Sequence, residues 1–445
     1  MTIQLPGKVK FIINTLIQAG YEAYAVGGCI RDSILGRTPG DWDITTSASP
    51  QQVKELFPKT VDTGIQHGTV TVLEGSEGFE VTTYRIDGEY EDQRHPKEVV
   101  FTANLLEDLK RRDFTINAMA YNETEGLIDA FHGMEDIHRQ VIRCVGNPMH
   151  RFTEDALRMM RAVRFAAQLG FTIEEQTKTA ISALASSLAK ISAERIQAEL
   201  VKLLISDHPE EMRTVCELGM SRVFLPEFDA MMETPQNNRY HRHNVGEHSI
   251  LAMQNIRKDK ILRLTMLLHD VGKPVCKTVD ENGIYHFYGH PAEGAKIAKT
   301  ILRRLKFDND TIRKVTNLIA WHDDRPSLKE PSVRRAIHRV GLEQYPDLFE
   351  VKRADTLAKN NYRRREKLEL IDEYEAMYQA ILEKEQCLEL KDLAVNGLDM
   401  MELGLERGKE IGVMLNRLLM HVLEVPEDNT REILMNLVKT EQKSE

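Results

Sequence analysis

The 445-residue sequence contains no apolar run near the about 20 residues that a membrane-spanning helix needs. Its first residues lack the apolar segment that is typical of a secretion signal. The five cysteines are scattered, without a CxxC pair or a zinc-ligand spacing, and this favours reduced thiols over a disulfide framework. We therefore expect a cytoplasmic protein that is neither secreted nor embedded in a membrane.

Basic side chains are fewer than acidic ones, 59 against 69, so the net charge at pH 7 is −10. An acidic sum argues against a protein that coats nucleic acid along its length, and we expect no binding to DNA. The charge is uneven, because residues 147–170 hold four arginines against two acidic residues, a local excess of two positive charges. Contacts with phosphates depend on local basic faces. The acidic sum is therefore compatible with binding of phosphate groups at one local basic face.

The pattern of apolar residues divides the chain into a mixed α/β beginning and a helical remainder. It predicts a first helix over Lys8–Ala19 and strands at Ala23–Val26, Trp42–Thr45, Thr69–Leu73, Phe79–Tyr84 and Thr115–Ala120. Residues 87–107 are charged and predict a long loop. Later segments predict helices, at Glu154–Leu169, Ile173–Leu188, Ala193–Leu204 and Pro209–Leu218, and three or four amphipathic helices after residue 363. The predicted fold class is α+β, with a small mixed sheet followed by all-α domains.

A dense cluster of glycine and charged residues follows the first predicted strand. Gly27 and Gly28 stand between a strand and a helix, where backbone N–H groups can approach a phosphate closely, and Arg31 can add a fixed positive charge. Asp41 and Asp43 are two residues apart, so on a strand they face the same side. Paired carboxylates can hold Mg²⁺ against a triphosphate. Each part alone is more often a solvated turn, but their order and spacing together favour a phosphate-transfer site.

This order of motifs, GGxxRDxxLGR leading to DxD, resembles the nucleotidyltransferase superfamily, and within it the bacterial-type (class II) family of CCA-adding enzymes and poly(A) polymerases. The resemblance extends through about the first 220 residues, and it implies that Asp41 and Asp43 are the catalytic carboxylates that hold Mg²⁺. Residues 64–69 look like the family's GxxHGT strand entry. Glu80 is a candidate third carboxylate, although an exposed strand glutamate is the favoured interpretation.

The segment Arg111–Ala118 resembles the family's RRDFxxNA motif, which implies that Arg112 and Asp113 contact the sugar and phosphates of the nucleotide. Chemically, an arginine pair can hold phosphates while a neighbouring carboxylate accepts from a 2′-hydroxyl group. The alternative is a charged helix end or strand edge. The upstream motif favours the functional interpretation.

The segment from Glu154 to Arg158 resembles the family's EDxxR motif, which implies selection of CTP and ATP. We expect Asp155 and Arg158, at i and i+3 on one helix, to face the same way. The carboxylate can then accept from the exocyclic amine of cytosine or adenine, and the guanidinium can donate to the ring acceptors. Arg161 and Arg164 extend this candidate nucleotide site. The alternative is a surface ion pair between Glu154 and Arg158.

A second cluster lies in residues 243–361, where the sequence HDVGK at 269–273 resembles the signature of HD phosphohydrolases. The resemblance implies the metal ligands His248, His269, Asp270 and Asp355, with His290 and His322 able to hold a second metal. Imidazole with carboxylate suits Mn²⁺, Ni²⁺, Co²⁺ or Fe²⁺ better than Mg²⁺ alone. A single histidine is more often a packed residue, but the adjacent His-Asp and the further histidines favour a metal site.

The resemblance predicts four domains, namely a nucleotidyltransferase head (1–145), a helical neck that reads bases and binds RNA (146–232), an HD phosphohydrolase-like domain (240–362) and a helical tail (363–445). The predicted function is template-independent addition of CCA to the 3′ end of tRNA from CTP and ATP. A second hydrolytic activity on 2′,3′-cyclic or 2′-phosphate RNA ends is expected from the HD domain.

Three alternatives remain open. An enzyme that adds only A, or a poly(A) tail, shares the head motifs, and the full-length segment around residues 87–106 is compatible with complete CCA addition or with addition of the terminal A. A non-catalytic nucleotide sensor, or a phosphohydrolase whose head only positions RNA, is disfavoured because Asp41 and Asp43 are both present.

Overall fold

The structure, a computed structural model, describes residues 2–88, 99–237 and 242–442. Within these ranges the chain separates into two compact units, Met1–Pro226 and Glu227–Glu445. No helix of the described residues is long and apolar enough to cross a membrane. The α+β fold class is confirmed, since the sheet lies in the first unit and the rest is mostly helical.

The first unit is built from short strands and helices. Its strands are β1 (Ala23–Val26), β2 (Asp43–Thr46), β3 (Thr60–Gly64), β4 (Thr69–Glu74), β5 (Glu77–Thr83), β6 (Arg85–Asp87), β7 (Val99–Phe101), β8 (Ala120–Asn122), β9 (Gly126–Ile128), β10 (Val141–Ile142) and β11 (Thr172–Ile173). Its helices are α1 (Gly7–Gln18), α2 (Gly28–Ile34), α3 (Pro50–Leu56), α4 (Leu105–Lys110), α5 (Gly133–Arg139), α6 (Pro148–Glu154), α7 (Leu157–Leu169), α8 (Glu175–Leu184), α9 (Ala193–Leu204), α10 (Met212–Glu217) and α11 (Ser221–Phe224).

Seven of these strands form one mixed sheet in the described residues, in the order β3-β4-β5-β2-β1-β8-β9. Only the β2–β5 pair in it is parallel. Helix α1 packs on β1, because its apolar residues at i, i+3, i+4 and i+7 are all buried, as are the four residues of β1. The predictions for α1, β1, β4 and β5 are therefore confirmed to within one or two residues.

The predicted strand at Thr115–Ala120 is wrong. Residues 115–117 form a 3₁₀ turn, and only Ala120 continues into a strand. Side-chain hydrogen bonds hold this turn, because the Thr115 hydroxyl donates to Asp136 (2.6 Å) and the Asn117 amide donates to Asp113 (3.1 Å). Such bonds offer the backbone an alternative to strand pairing.

The predicted loop at 87–107 is also partly wrong. Strands β6 and β7 pair antiparallel, with Arg85 opposite Phe101, and α4 begins after the Asn104 cap. The pattern of apolar residues did not predict these strands, because each is only three residues long and Ile86 and Val100 are exposed. Residues 89–98 of the prediction lie outside the described residues.

The predicted helix at Glu154–Leu169 is two helices. Helix α6 ends at Glu154 and α7 begins at Leu157, because Asp155 has extended backbone angles and its carboxylate accepts from the Leu157 N–H at 3.0 Å. Asp155 and Arg158 therefore do not lie on one helix, contrary to the expectation from spacing. The predicted helix at Ala193–Leu204 is confirmed.

The second unit consists of helices and one small hairpin. Its helices are α12 (Pro226–Glu233), α13 (Val245–Gln254), α14 (Lys260–Leu268), α15 (Lys273–Cys276), α16 (His290–Arg304), α17 (Asn309–Trp321), α18 (Glu330–Val340), α19 (Tyr345–Ala358), α20 (Arg364–Glu383), α21 (Gly397–Glu402), α22 (Lys409–Glu424) and α23 (Arg431–Gln442). Strands β12 (Thr278–Val279) and β13 (Tyr285–His286) form the hairpin. Helices α20–α23 confirm the predicted helical tail, whereas the division into four domains stays a prediction.

Candidate active sites

Carboxylates from two neighbouring strands meet at one end of the head sheet. The parallel pairing places Ile44 opposite Val81, so Asp43 and Glu80 precede this buried pair on adjacent strands. Both line a cavity of about 210 Å³, which the side chains of Arg111 and Arg112 also line. Glu80 is an exposed residue of β5, as the favoured interpretation of the sequence expected, and it also lines the same cavity as Asp43.

The electrostatics of this cavity favour a bound cation. Burial raises the pKa of Asp43, and the neighbouring Asp41 adds to this while Arg112 opposes it. Burial, then Asp43 and Asp41, raise the pKa of Glu80. A cation would offset the repulsion among these three carboxylates, and their oxygens are the ligand type that Mg²⁺ prefers.

The glycine turn before α2 requires a glycine at its first position. Gly27 has φ +85°, a conformation that other residues rarely adopt. A Cβ atom there would also lie 3.0 Å from Nη1 of Arg112. At Gly28 a Cβ would make only an ordinary contact with Arg31 at 3.7 Å. The turn therefore brings the backbone close to Arg112, the predicted phosphate ligand.

Arg31 is buried rather than solvated. Its guanidinium donates to Asn117 Oδ1 and to Asp32 Oδ1, both at 2.8 Å, and lies 4.9 Å from the ring centre of Phe165. Arg31 thus connects the glycine turn with the RRDFxxNA segment and with helix α7. Its predicted role at a phosphate stays a prediction.

Asp108 is a residue that sequence reasoning missed. Its carboxylate is fully buried and accepts from Arg111 Nε (2.9 Å), Arg112 Nη2 (3.5 Å) and the Thr45 hydroxyl (3.1 Å). Burial raises the pKa of Asp108, but Arg112 and Arg111 outweigh it and lower the pKa. Asp108 therefore orients both arginines toward the cavity. The signal was an aspartate three and four residues before the arginine pair, which is helical spacing.

Asp113 and Arg161 form a close pair within the first unit. Nε and Nη2 of Arg161 lie 2.7 and 2.6 Å from Asp113 Oδ2, and the Asn117 amide donates to the other oxygen. Burial raises the pKa of Asp113, but Arg161 and Asn117 reverse this and bring it to about 2. The structure thus brings two predicted nucleotide ligands together, with the carboxylate ionised.

Asp155 and Arg158 have partners of their own in this structure. Asp155 Oδ2 accepts from Arg195 at 2.7 Å. Arg158 donates to Glu154 at 2.6 Å, as the ion-pair alternative expected, and to the backbone carbonyl of Arg111 at 3.2 Å. The Arg158 pair is not on the surface, because this residue is only 9 % exposed. The base-reading roles stay predictions.

Arg164 is directed toward helix α9. Its Nε donates to Glu199 at 2.6 Å, its Nη1 donates to Gln168, and its guanidinium lies 3.6 Å from the ring centre of Phe165. Both members of the Arg164–Glu199 pair are buried. These contacts describe a structural pair, and the nucleotide-binding role predicted for Arg164 stays untested.

Replacing Glu199 by alanine is expected to destabilise the first unit by about 3–5 kcal/mol, because it leaves the buried Arg164 without its carboxylate. Urea unfolding measures this. The control is Glu175→Ala, since Glu175 forms an exposed pair with Lys178 and should change the free energy of unfolding by at most about 1 kcal/mol. Equal stabilities of the two variants would show that Arg164 does not depend on Glu199.

The second unit gathers the predicted metal ligands from five helical segments. His248 Nε2 lies 3.0 Å from Asp355 Oδ1 and 3.3 Å from His269 Nε2, and His269 Nε2 lies 3.2 Å from Asp270 Oδ2. On the other side, Asp270 Oδ1 lies 3.3 Å from His290 Nε2 and 3.8 Å from His322 Nε2. Asp270 thus faces two histidine pairs, one with each carboxylate oxygen.

Backbone carbonyls orient three of these imidazoles. Nδ1 of His269, His290 and His322 lies 2.7–2.9 Å from the carbonyl oxygens of Met266, Phe287 and Ile319 respectively. Such contacts fix the ring and direct Nε2 inward, as in metal centres. The ligand atoms form two groups, His248–His269–Asp270 and Asp270–His290–His322, whose members all lie within 4.8 Å of one another.

Cations and burial shape the electrostatics of the cluster. Lys273 lies 2.6 Å from Asp270, and Lys359 lies 2.5 Å from Asp355. Burial lowers the pKa of His248 to about 4, so this imidazole is neutral at pH 7, the form in which it binds metals. Burial also lowers the pKa of His269, but Asp270 and Asp355 outweigh it and raise this pKa to about 9, so His269 would lose a proton on binding a metal. The six predicted ligands thus form one buried cluster with the donor chemistry of a transition-metal site.

Three family models match segments of the chain. The poly A polymerase head domain matches residues 23–143, and the probable RNA and SrmB-binding site of polymerase A matches residues 170–232. A model described as a putative tRNA nucleotidyltransferase domain 2 matches residues 291–438. The first covers the carboxylates and the RRDFxxNA segment, in agreement with the resemblance seen in the sequence.

The CCA-adding enzyme of Leuconostoc mesenteroides is 44 % identical over 274 residues, which are 60 % of this chain and 68 % of that protein. The chain belongs to the family of CCA-adding enzymes. The match with the CCA-adding enzyme of Lactiplantibacillus plantarum is 56 % identical and covers 46 % of this chain. It spans about half the length of that relative, 51 %.

Solved structures of the family resemble the whole chain. The crystal structure of the Bacillus stearothermophilus CCA-adding enzyme in complex with CTP is 31 % identical, with a TM-score of 0.73 over 99 % of this chain and 100 % of that one. The Thermotoga maritima CCA-adding enzyme complexed with tRNA shares the fold, with a TM-score of 0.56 at 21 % identity.

Proposed function

We propose that the first unit transfers nucleotidyl groups from CTP and ATP to the 3′ end of tRNA and so builds CCA without a template. The observation that carries this proposal is the meeting of Asp43 and Glu80 on adjacent strands, in a cavity that Arg111 and Arg112 also line. The family membership supports it, as does the solved complex of a relative with CTP.

Asp41 and Asp43 would hold Mg²⁺, with Glu80 beside them as a third carboxylate. The ion supplies Lewis-acid stabilisation of the charge on the reacting phosphates. The reaction forms a bond between the tRNA 3′-oxygen and the α-phosphorus and breaks the α–β phosphoanhydride bond, so that pyrophosphate leaves. Arg111 and Arg112, oriented by Asp108, bind the phosphates, and Asp113 with Arg161 holds the sugar.

Asp155 and Arg158 would read the base edge. The Asp155 carboxylate accepts from an exocyclic amine, and the Arg158 guanidinium donates to the ring acceptors, a pattern that cytosine and adenine satisfy and uracil and guanine do not. In this proposal the base replaces part of the contacts that Arg195 and Glu154 make with these side chains.

The test is incorporation of labelled CTP and ATP into tRNA that lacks its CCA end. Addition of A alone, or of a poly(A) tail, is the rival outcome. The similar proteins from Lactiplantibacillus plantarum and Leuconostoc mesenteroides are CCA-adding enzymes, which favours CCA. We further propose that the protein acts in the cytoplasm, where its tRNA and nucleotide substrates are found.

We also propose a second activity, metal-dependent hydrolysis of 2′,3′-cyclic or 2′-phosphate ends of RNA by the histidine cluster. A specific observation favours it, because Asp270 directs one oxygen toward His248 and His269 and the other toward His290 and His322. These residues, with Asp355, would hold Mn²⁺, Ni²⁺, Co²⁺ or Fe²⁺. Such a metal supplies a bound water of lowered pKa. Lys273 and Lys359 lie beside the ligands, in contact with Asp270 and Asp355.

A further inference from the structure

A cavity of about 630 Å³ opens over the histidine cluster of the second unit. Asp270, His290 and His322 form part of its lining. Its volume lies in the range of sites that hold a whole small molecule of drug size. A phosphate group alone would leave most of this cavity unfilled. The other lining residues therefore help to determine which substrate the site binds.

One wall is an aromatic platform on the segment that follows β13. The rings of Tyr288 and His286 are stacked, with centroids 5.3 Å apart and planes 6° from parallel, and Tyr288 is 77 % exposed. Asp280 fixes the platform, because its Oδ2 lies 2.8 Å from His286 Nε2 and its Oδ1 accepts from the Ile284 N–H within the hairpin. Tyr288 thus lines the cavity with an exposed ring that is stacked on the braced His286.

Charged side chains of both signs also line the cavity, and its carboxylates are Asp270, Asp323, Asp355 and Glu366. Lysine and arginine side chains line it, namely Lys273, Arg325, Lys359, Arg363 and Lys367. Lys273 and Lys359 contact the metal-ligand carboxylates Asp270 and Asp355 directly. An aromatic ring beside lysine and arginine side chains is the arrangement by which proteins bind a base and its phosphate backbone together.

We propose that this cavity binds a nucleotide, with the base stacked on Tyr288 and the phosphate directed to the histidine cluster. The proposal rests on the proposed hydrolytic function and names its recognition element: the substrate is a phosphoester that carries a base, and Tyr288 is the residue that selects it. Ring stacking tolerates every base, because each has a π-face, so the subsite recognises a nucleotide without choosing its sequence.

The experiment measures binding of adenosine 2′-monophosphate and of inorganic phosphate to the full chain by calorimetry in EDTA, where no turnover occurs. Tyr288→Ala is expected to weaken nucleotide binding about tenfold and to leave phosphate binding unchanged. Tyr288→Phe is the matched control and keeps the affinity, since it retains the ring. Nucleotide binding by the head is common to all three chains and cancels in the comparison.

A second measurement separates this proposal from the hydrolytic function. With Mn²⁺ added, Tyr288→Ala should raise the KM for adenosine 2′-monophosphate about tenfold with little change in kcat. Weakened nucleotide binding without any phosphate release would refute hydrolysis and support the subsite. Equal nucleotide affinities of the wild-type chain and Tyr288→Ala, or an equal loss of phosphate binding, would overturn the subsite.

Discussion

Replacing Asp43 by asparagine is expected to reduce incorporation of both CMP and AMP into tRNA by a factor on the order of a thousand. The substitution keeps the side-chain volume but removes a charge from the carboxylate set that would hold Mg²⁺, and electrostatic groups aimed at the reacting phosphates contribute factors of this size. Labelled CTP and ATP, supplied separately to suitable tRNA acceptors, measure the effect. Both nucleotides should be affected alike, because they share one pair of carboxylates.

The matched control for Asp43→Asn is Glu77→Gln. Glu77 begins the strand that also contains Glu80, and its carboxylate pairs with the exposed Lys8 at 3.1 Å. This variant should retain incorporation, since Glu77 does not line the cavity. Thermal unfolding of the variants verifies that each is folded. Retained incorporation in a chain with both Asp41→Ala and Asp43→Ala would refute the proposed mechanism.

The second large effect is expected at the histidine cluster. His269→Ala, and separately Asp270→Asn, should abolish ring opening of 2′,3′-cyclic substrates and phosphate release from 2′-phosphate substrates with added Ni²⁺ or Mn²⁺. Each substitution removes a ligand from a buried group, so the metal retained after dialysis, measured by mass spectrometry, should fall in parallel. CCA addition by the same chains verifies that the head is folded.

His421 supplies the control for the histidine cluster. It lies in the same unit, pairs with Asp428 at 2.6 Å and takes no part in the cluster, so His421→Ala should retain both metal and phosphate release. If His269→Ala and Asp270→Asn kept the wild-type rate of phosphate release, the hydrolytic function would be refuted. If they kept the metal as well, the ligand assignment would be refuted.

Local patterns in the sequence were sufficient to predict the regular elements of the head. Helix α1 follows from apolar periodicity, because it buries one continuous face. Strand β1 follows from a short apolar run, because all of its residues are buried. The strand predicted at Thr115–Ala120 was wrong because side-chain hydrogen bonds hold Thr115 and Asn117 in a turn. Apolar spacing carries no information about such bonds.

The proximity of Glu80 to Asp43 depends on a pairing between strands that are distant in sequence. Only the parallel register of β2 with β5 places these carboxylates together. Asp155 shows a related limit, because the spacing that suggested one helix does not reveal that its carboxylate caps α7. Arg164 looked like part of a basic face, and only the packing of α7 on α9 shows its pairing with Glu199.

The histidine cluster was predicted from a resemblance and could not have been assembled from spacing alone. His248, Asp270 and Asp355 lie on or beside helices far apart in sequence, and the packing of α13, α14 and α19 brings them together. The Tyr288 platform had no signal of its own in the sequence. Its role follows from the cavity that it shares with the cluster.

The most direct test of the central claim is the length of the product, resolved to one nucleotide, when tRNA lacking CCA is incubated with CTP, with ATP and with both. The proposed function predicts extension by two residues with CTP alone, no extension with ATP alone, and extension by exactly three with both. No extension with CTP alone, or a long ladder of added A residues with ATP, would contradict it.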